Sequence, residues 1–285
     1  MNSGQVLVAD GATGTNYQFR GLPRGMAPEE WLFECPEQVV QLHRDFIDAG
    51  ANIILTDTFG ATRLRLEHAG LQDRTVEVNK RAVELARQAA ADRAVWVAGS
   101  MGPTGALLEP YGPLSFEDAV AAYAEQAKAL AEAGVDLLVT ETHFDMNEAK
   151  AAIEGARKVT DLPLVCSFSY DMGTRTMMGL QPEQVAKELN GLAVDLVGVN
   201  CGRSLDQNLT VLEDYQKATD KPLWMKPNAG LPRMTDEDVA VYDVTPEAMG
   251  AEANKWIAAG ARVVGGCCGT SPEHLGQIAR AAQSR

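Results

Sequence analysis

Along this chain of 285 residues, apolar runs of strand length alternate with stretches whose apolar positions recur at helical spacing, from one end to the other. The β-branched, apolar runs predict strands at Gln5 to Asp10, Asn52 to Thr58, Val95 to Ser100, Asp136 to Thr142, Leu162 to Tyr170, Asp195 to Cys201, Pro222 to Ala229 and Arg262 to Cys268. The amphipathic stretches predict helices at Glu37 to Ala49, Asp73 to Ala91, Phe116 to Ala133, Met146 to Thr160, Pro182 to Leu192, Leu205 to Thr219, Pro246 to Ala259 and Pro272 to Ala282. Ser115 is a predicted N-cap, and Thr245-Pro246 and Ser271-Pro272 each join a capping residue to proline at the first helical position. Three helix-to-strand junctions repeat nearly the same residues: Asp48-Ala49-Gly50-Ala51-Asn52, Glu132-Ala133-Gly134-Val135-Asp136 and Ala258-Ala259-Gly260-Ala261-Arg262. Each puts glycine where a helix stops and the chain turns back.

Strict alternation of strand and helix implies a parallel sheet, and eight units are the number that closes an α/β (β/α)8 TIM barrel. An open doubly wound sheet is the alternative. No low-complexity linker interrupts the pattern, and the irregular segment Leu231 to Val244 is too short for a domain, so one domain over residues 1–285 is expected. In such a barrel the active site gathers at the carboxyl ends of the strands. Polar residues stand there: Asp10, Asp57-Thr58, Ser100, Glu141-Thr142, Ser167 and Ser169, Asn200-Cys201, Asn228 and Cys267-Cys268. Helix capping would explain Thr58 or Ser100 equally well, but it explains the carboxylates and cysteines poorly.

Charge narrows the partners. Lys and Arg total 25 against 39 Asp and Glu, a net charge of -14 that repels phosphate backbones and anionic membranes, so no nucleic acid and no membrane is expected. The first residues lack the basic and apolar regions of a signal peptide, and no apolar run approaches a membrane span. A soluble, cytoplasmic protein is expected.

Five cysteines, an odd number without a secretion signal, do not suggest a disulfide framework. The conspicuous pair lies in Gly265-Gly266-Cys267-Cys268-Gly269-Thr270, behind the apolar run Arg262-Val263-Val264, and Cys201 lies in Val199-Asn200-Cys201-Gly202 at the end of strand six. On a barrel these three share one rim. Neighbouring residues of a regular strand point to opposite faces, so Cys267 and Cys268 can share an ion only where the pleat breaks, which the glycines permit. Three thiolates leave one position open on tetrahedral zinc, the arrangement of a catalytic site. A strained Cys267–Cys268 disulfide and buried inert thiols are the alternatives. Cys166, Cys35 and the scattered histidines read as structural, with His143 a polar loop residue near the rim.

With these residues in place the chain resembles the homocysteine S-methyltransferase family, which includes betaine homocysteine methyltransferase and the homocysteine module of cobalamin-dependent methionine synthase. The likeness runs nearly end to end, through Asp10-Gly11-Ala12-Thr13-Gly14-Thr15, Asp57-Thr58-Phe59-Gly60-Ala61-Thr62, Val97 to Thr104, Glu141-Thr142, Asn200-Cys201-Gly202, Pro227-Asn228-Ala229-Gly230-Leu231-Pro232 and the final glycine–cysteine turn. The last three segments point to the methionine synthase branch. The resemblance implies a (β/α)8 barrel with Cys201, Cys267 and Cys268 holding one catalytic Zn²⁺, which would activate homocysteine as a zinc-bound thiolate and methylate it to methionine. It implies that Asp10 and Glu141 bind the substrate's ammonium, that backbone amides at Gly11, Thr13, Gly14 and Thr15 receive its carboxylate, and that Asn228 lies near the open zinc position. The implied donor is a methyl-corrinoid, methylcobalamin supplied by a separate protein. Small onium donors, namely S-methylmethionine, S-adenosylmethionine or a betaine-like compound, compete with it, as does a non-catalytic zinc- or thiol-binding subunit. Asp57 and His143 depart from the family's pattern and add charge near the rim, which admits a thiol other than homocysteine.

Overall fold

The structure is a computed structural model that describes residues 5–235 and 240–284. Its eight parallel strands are β1 (Leu7–Val8), β2 (Ile53–Leu55), β3 (Trp96–Met101), β4 (Leu137–His143), β5 (Leu164–Phe168), β6 (Leu196–Cys201), β7 (Leu223–Pro227) and β8 (Ala261–Val264). They alternate with the covering helices α1 (Pro36–Asp48), α2 (Thr75–Ala90), α3 (Phe116–Ala133), α4 (Met146–Arg157), α5 (Pro182–Asn190), α6 (Leu205–Ala218), α7 (Pro246–Ala258) and α8 (Pro272–Gln283). The hydrogen-bonded order is β1-β8-β7-β6-β5-β4-β3-β2. Its two ends meet at the Ala9–Ile53 bridge, where Asp10 N donates to Ile53 O at 3.0 Å and Asn52 N to Val8 O at 2.7 Å. The sheet is therefore a TIM barrel rather than an open doubly wound sheet.

Local signals explain the frame. Ser115 Oγ accepts from Asp118 N at 3.1 Å and Thr245 Oγ1 from Ala248 N at 3.3 Å, satisfying donors that a helix start leaves unpaired. At Ser271 the cap runs through His274, whose Nδ1 accepts from Ser271 N at 3.2 Å. Gly50, Gly134 and Gly260, the glycines of the three repeated junctions, have φ of 110°, 91° and 101°, a left-handed turn that a side chain would strain.

Inward-facing residues such as Leu55, Ala98, Val139, Val165, Leu196, Trp224 and Val263 fill the barrel. Gly198 makes room for the central tryptophan, since a Cβ there would lie 2.1 Å from Trp224 O. A larger apolar layer separates strands from helices and takes in both Cys166 and the flank of Cys35. Several strands end sooner than their apolar runs predict, with Thr58, Tyr170, Ala229 and Cys268 all past the ladder. Those residues build the loops of the upper rim.

Two rim segments were not foreseen. Between β1 and α1 the chain forms a helix at Thr13–Phe19, a 3₁₀ turn at Pro28–Glu30 and a helical turn at Trp31–Glu34. After β7, Arg233–Met234 pairs antiparallel with Ala240–Val241. No helix among the described residues is long and apolar enough to cross a membrane.

Candidate active site

Three thiols converge where β6 and β8 end. Cys201, Cys267 and Cys268 have their sulfurs within 4.8 Å of one another, with 3.0 Å between Cys201 Sγ and Cys267 Sγ. The backbone makes this possible. Cys201 sits at φ 57° and Gly202 at 78°, so β6 leaves its pleat at the ligand itself. Beyond Val264, Gly265 passes so close to β1 that a Cβ would lie 2.6 Å from Ala9 O, and one on Gly266 would strike the Thr270 side chain at 2.4 Å. The turn is then pinned: Cys267 N donates to Pro227 O (2.8 Å), Ala229 N to Cys268 O (2.9 Å), and Thr270 Oγ1 to Cys267 O (2.6 Å). Two neighbouring cysteines thus face one point because they lie in a turn.

The trio shares its charge. Hydrogen bonds from Cys201 and then Cys267 pull the Cys268 thiol down to about 3, against burial. The bonds to Cys267 and Cys268, with burial, push Cys201 well up. One thiolate is stable by itself, whereas ionising all three needs a cation among them. Sulfurs about 3.8 Å apart would share a tetrahedral ion at ~2.3 Å, so three clustered thiols fit a soft divalent metal.

Beside the thiols lies a charged pair that the sequence did not reveal. Lys226, on β7 and 2% exposed, donates from Nζ to Asp10 Oδ1 at 2.6 Å, and Asp10 Oδ2 accepts from Leu55 N at 2.7 Å. Burial opposes the lysine's charge, but Asp10 and Glu141 outweigh it and raise its pKa. Glu141 accepts from Ser100 Oγ at 2.6 Å, and burial lifts its carboxyl to about 7, with Lys226 opposing and Cys267 adding to the rise. The next residue, Thr142, has φ 65°. Asn200 holds it there, accepting from Thr142 N at 2.9 Å and donating to Thr142 Oγ1 at 2.7 Å, while the same amide reaches Cys201 Sγ at 3.4 Å. Such strain at a rim persists only where neighbours over-determine it.

These groups face a cavity of about 870 Å³. Of the residues singled out from sequence, Gly11, Thr13, Gly14, Thr15, Asp57, Glu141 and the three cysteines line it. Asp10 stands behind Lys226, which lines it instead. Asn228 stands beside Cys201, its amide donating to Gly202 O at 2.9 Å and its backbone N to Cys201 O at 3.2 Å. Tyr242, half-buried after the short hairpin, is the residue that reaches Cys268. His143 corrects an expectation: it is no loop residue but the fully buried end of β4, between the rings of Tyr123 and Phe168 and bonded to Thr140. Burial holds its pKa down to about 3, so it carries no charge to the rim. Lys226 had one sequence signal, a lone cation inside an apolar strand, which is rarely buried without a partner.

A profile of the homocysteine S-methyltransferase family matches residues 7–282. The chain belongs to this family. Homocysteine methyltransferase MmuM from Escherichia coli in its metallated form is 27% identical, covers 98% of this chain and 97% of its own, and superposes with a TM-score of 0.83. The apo form of MmuM, 26% identical over the same shares, superposes at 0.76. A methyltransferase from Methanosarcina mazei, 12% identical over 98% of this chain and 94% of its own, has a TM-score of 0.61 and shares the fold alone. As a homocysteine S-methyltransferase the chain is a thiol methyltransferase. Its chemistry needs a thiol held beside a methyl donor.

Proposed function

We propose that this enzyme methylates homocysteine to methionine with one Zn²⁺ per chain on Cys201, Cys267 and Cys268. The observation that carries this is the convergence of three thiols on the floor of a cavity in a homocysteine S-methyltransferase. Cys201, Cys267 and Cys268 would hold the Zn²⁺, which would supply the Lewis acidity that lets a substrate thiol, ordinarily near pKa ~8.5, ionise at neutral pH.

The chain's own residues do the aligning. Glu141, buried beside Cys267, accepts the substrate's α-ammonium, which in turn keeps the carboxyl ionised. Lys226 faces the α-carboxylate together with the free N–H groups of the first helical turn at Thr13 to Thr15. Asp10 positions Lys226 rather than touching the substrate. With both ends of the amino acid fixed, its sulfur is presented to the donor's methyl carbon in line with the leaving group. For the donor, the methionine synthase resemblance favours a methyl-corrinoid on a separate protein, and the small onium compounds are the alternative.

The test is metal analysis of protein purified without chelators, with methionine formation from homocysteine and each donor in turn. About one zinc per chain and product from at least one donor are expected. Zinc without turnover across the panel would instead mark a non-catalytic zinc-binding subunit, and the absence of zinc would sink both.

A further inference from the structure

Among the described residues, three other than glycine have a left-handed backbone, and two of them line the cavity: Cys201 at φ 57° and Thr142 at φ 65°. Cys201 is one of the three clustered thiols. Thr142 is the less expected of the two, because a β-branched side chain is crowded in this conformation, which glycine adopts at no steric cost. Such strain persists where neighbours impose it, and it gathers at functional positions. The neighbour here is Asn200. Fully buried, it accepts at Oδ1 from Thr142 N at 2.9 Å and from Ser167 Oγ at 2.6 Å, and it donates from Nδ2 to Thr142 Oγ1 at 2.7 Å.

An amide that grips one residue by both its backbone and its side chain decides where the hydroxyl proton goes. A threonine hydroxyl has one proton and two lone pairs. Asn200 occupies a lone pair, so the proton is left to be donated, and no acceptor among the described residues takes it. The same amide nitrogen lies 3.4 Å from Cys201 Sγ and 3.9 Å from Cys267 Sγ. One nitrogen therefore separates the Thr142 hydroxyl from the thiol cluster. In the proposed reaction the acceptor's ammonium goes to Glu141, and its carboxylate to Lys226 and the N–H groups of Thr13 to Thr15. Its sulfur comes beside the three thiols, and that is the atom the unused hydroxyl proton can reach.

We propose that Thr142 is a further substrate-contacting residue, its hydroxyl donating a hydrogen bond to the acceptor's sulfur, with Asn200 as the residue that positions it. The proposal rests on the homocysteine reading and adds to it a contact at the reacting atom. Thr142 keeps its proton throughout. A hydroxyl bonds a thiolate more strongly than a neutral sulfur, so the bond is strongest before methyl transfer and fades as the sulfur's charge passes into the new S–CH₃ bond. It holds the ground state rather than the transition state. Its loss should weaken homocysteine binding and leave kcat no lower, and its fading loosens the hold on the thioether product.

The experiment is calorimetry on the zinc-loaded full chain with two probes, homocysteine and 2-aminobutyrate, which is the same amino acid without its sulfur. Thr142→Val keeps the side-chain shape and removes the hydroxyl. Thr142→Gly removes it and also relaxes the left-handed backbone, so a folded variant lacking the hydroxyl is at hand. Homocysteine should bind about tenfold or more weakly to both, while Thr142→Ser, which retains the hydroxyl, should stay within about threefold of wild type. Binding of 2-aminobutyrate should be the same in all four proteins. In an Asn200→Ala background, where the hydroxyl is free to turn away, adding Thr142→Val should cost homocysteine binding less than about threefold. Equal losses for the two probes, or a serine variant as weak as the valine one, overturn the contact, and a full loss in the Asn200→Ala background overturns the role of Asn200. If wild type binds homocysteine and the variants follow this pattern but no donor yields methionine, the contact stands and the methyl-transfer reading falls. If wild type binds no homocysteine, both fall.

Discussion

Asp10 and Asp57 close adjacent strands of one barrel, yet the chain treats them differently. Asp10, 1% exposed, has both oxygens satisfied from within, by Lys226 Nζ and Leu55 N. Asp57, 3% exposed, has only the neighbouring Tyr17 hydroxyl beside it and shares its surroundings with Glu29. A buried carboxylate with its own lysine is compensated in place, while one buried beside a second carboxylate costs stability. Lys226 thus balances Asp10 and Glu141 from within the chain, whereas Asp57 and Glu29 raise each other's cost.

The largest effect should come from breaking the side of the site that holds Lys226 and the thiols. Cys268→Ser removes the thiol that ionises first, and it should lower zinc to well under one ion per chain and methionine formation by at least about 10³-fold, with helical circular dichroism unchanged. A variant that keeps full activity would remove the thiols from the reaction. Lys226→Met should come next, because it leaves the buried Asp10 without its cation. Removing one member of such a pair typically costs about 3–5 kcal/mol. Denaturant unfolding should show that loss, and the double variant Asp10→Asn/Lys226→Met should recover part of it. The homocysteine KM should rise in the single variant, and less for an analogue that lacks the carboxylate.

The smallest and most discriminating effect is on stability against pH. Burial first, and then the charge of Glu29, hold the Asp57 carboxyl well above its ordinary value. Where the folded chain retains a proton that the unfolded chain has lost, stability falls as pH rises through that window. Asp57→Asn has no such proton to lose, so it should be more stable than wild type at pH 8, by a margin that shrinks at pH 5. Thermal unfolding at the two pH values reads the difference. An equal margin at both would mean that Asp57 is not a strained ionised group, and the contrast with Asp10 would collapse. A residue that lowers stability while facing a ligand volume is the usual signature of a functional site.

Much of the frame was legible because it depends on local and periodic signals. Phe116 to Ala133 was read to the residue, because Ser115 caps one end and Gly134 turns left-handed at the other. The cysteine trio was legible because strand order places the ends of β6 and β8 on one rim and glycines mark the broken pleat. His143 was misread because two polar residues before it suggested a loop. Nothing local announces that Tyr123 and Phe168 close over it.

By itself, the sequence determined eight βα units, the rim on which polar residues gather, and three thiols able to share a metal, since each follows from spacing along the chain. Only the tertiary structure decided that Asp10 is matched by Lys226, 216 residues away, and that Asp57 meets Glu29 and Tyr17. Periodicity says which face a side chain takes. Which charge it meets there is set by chain closure and loop packing between distant segments.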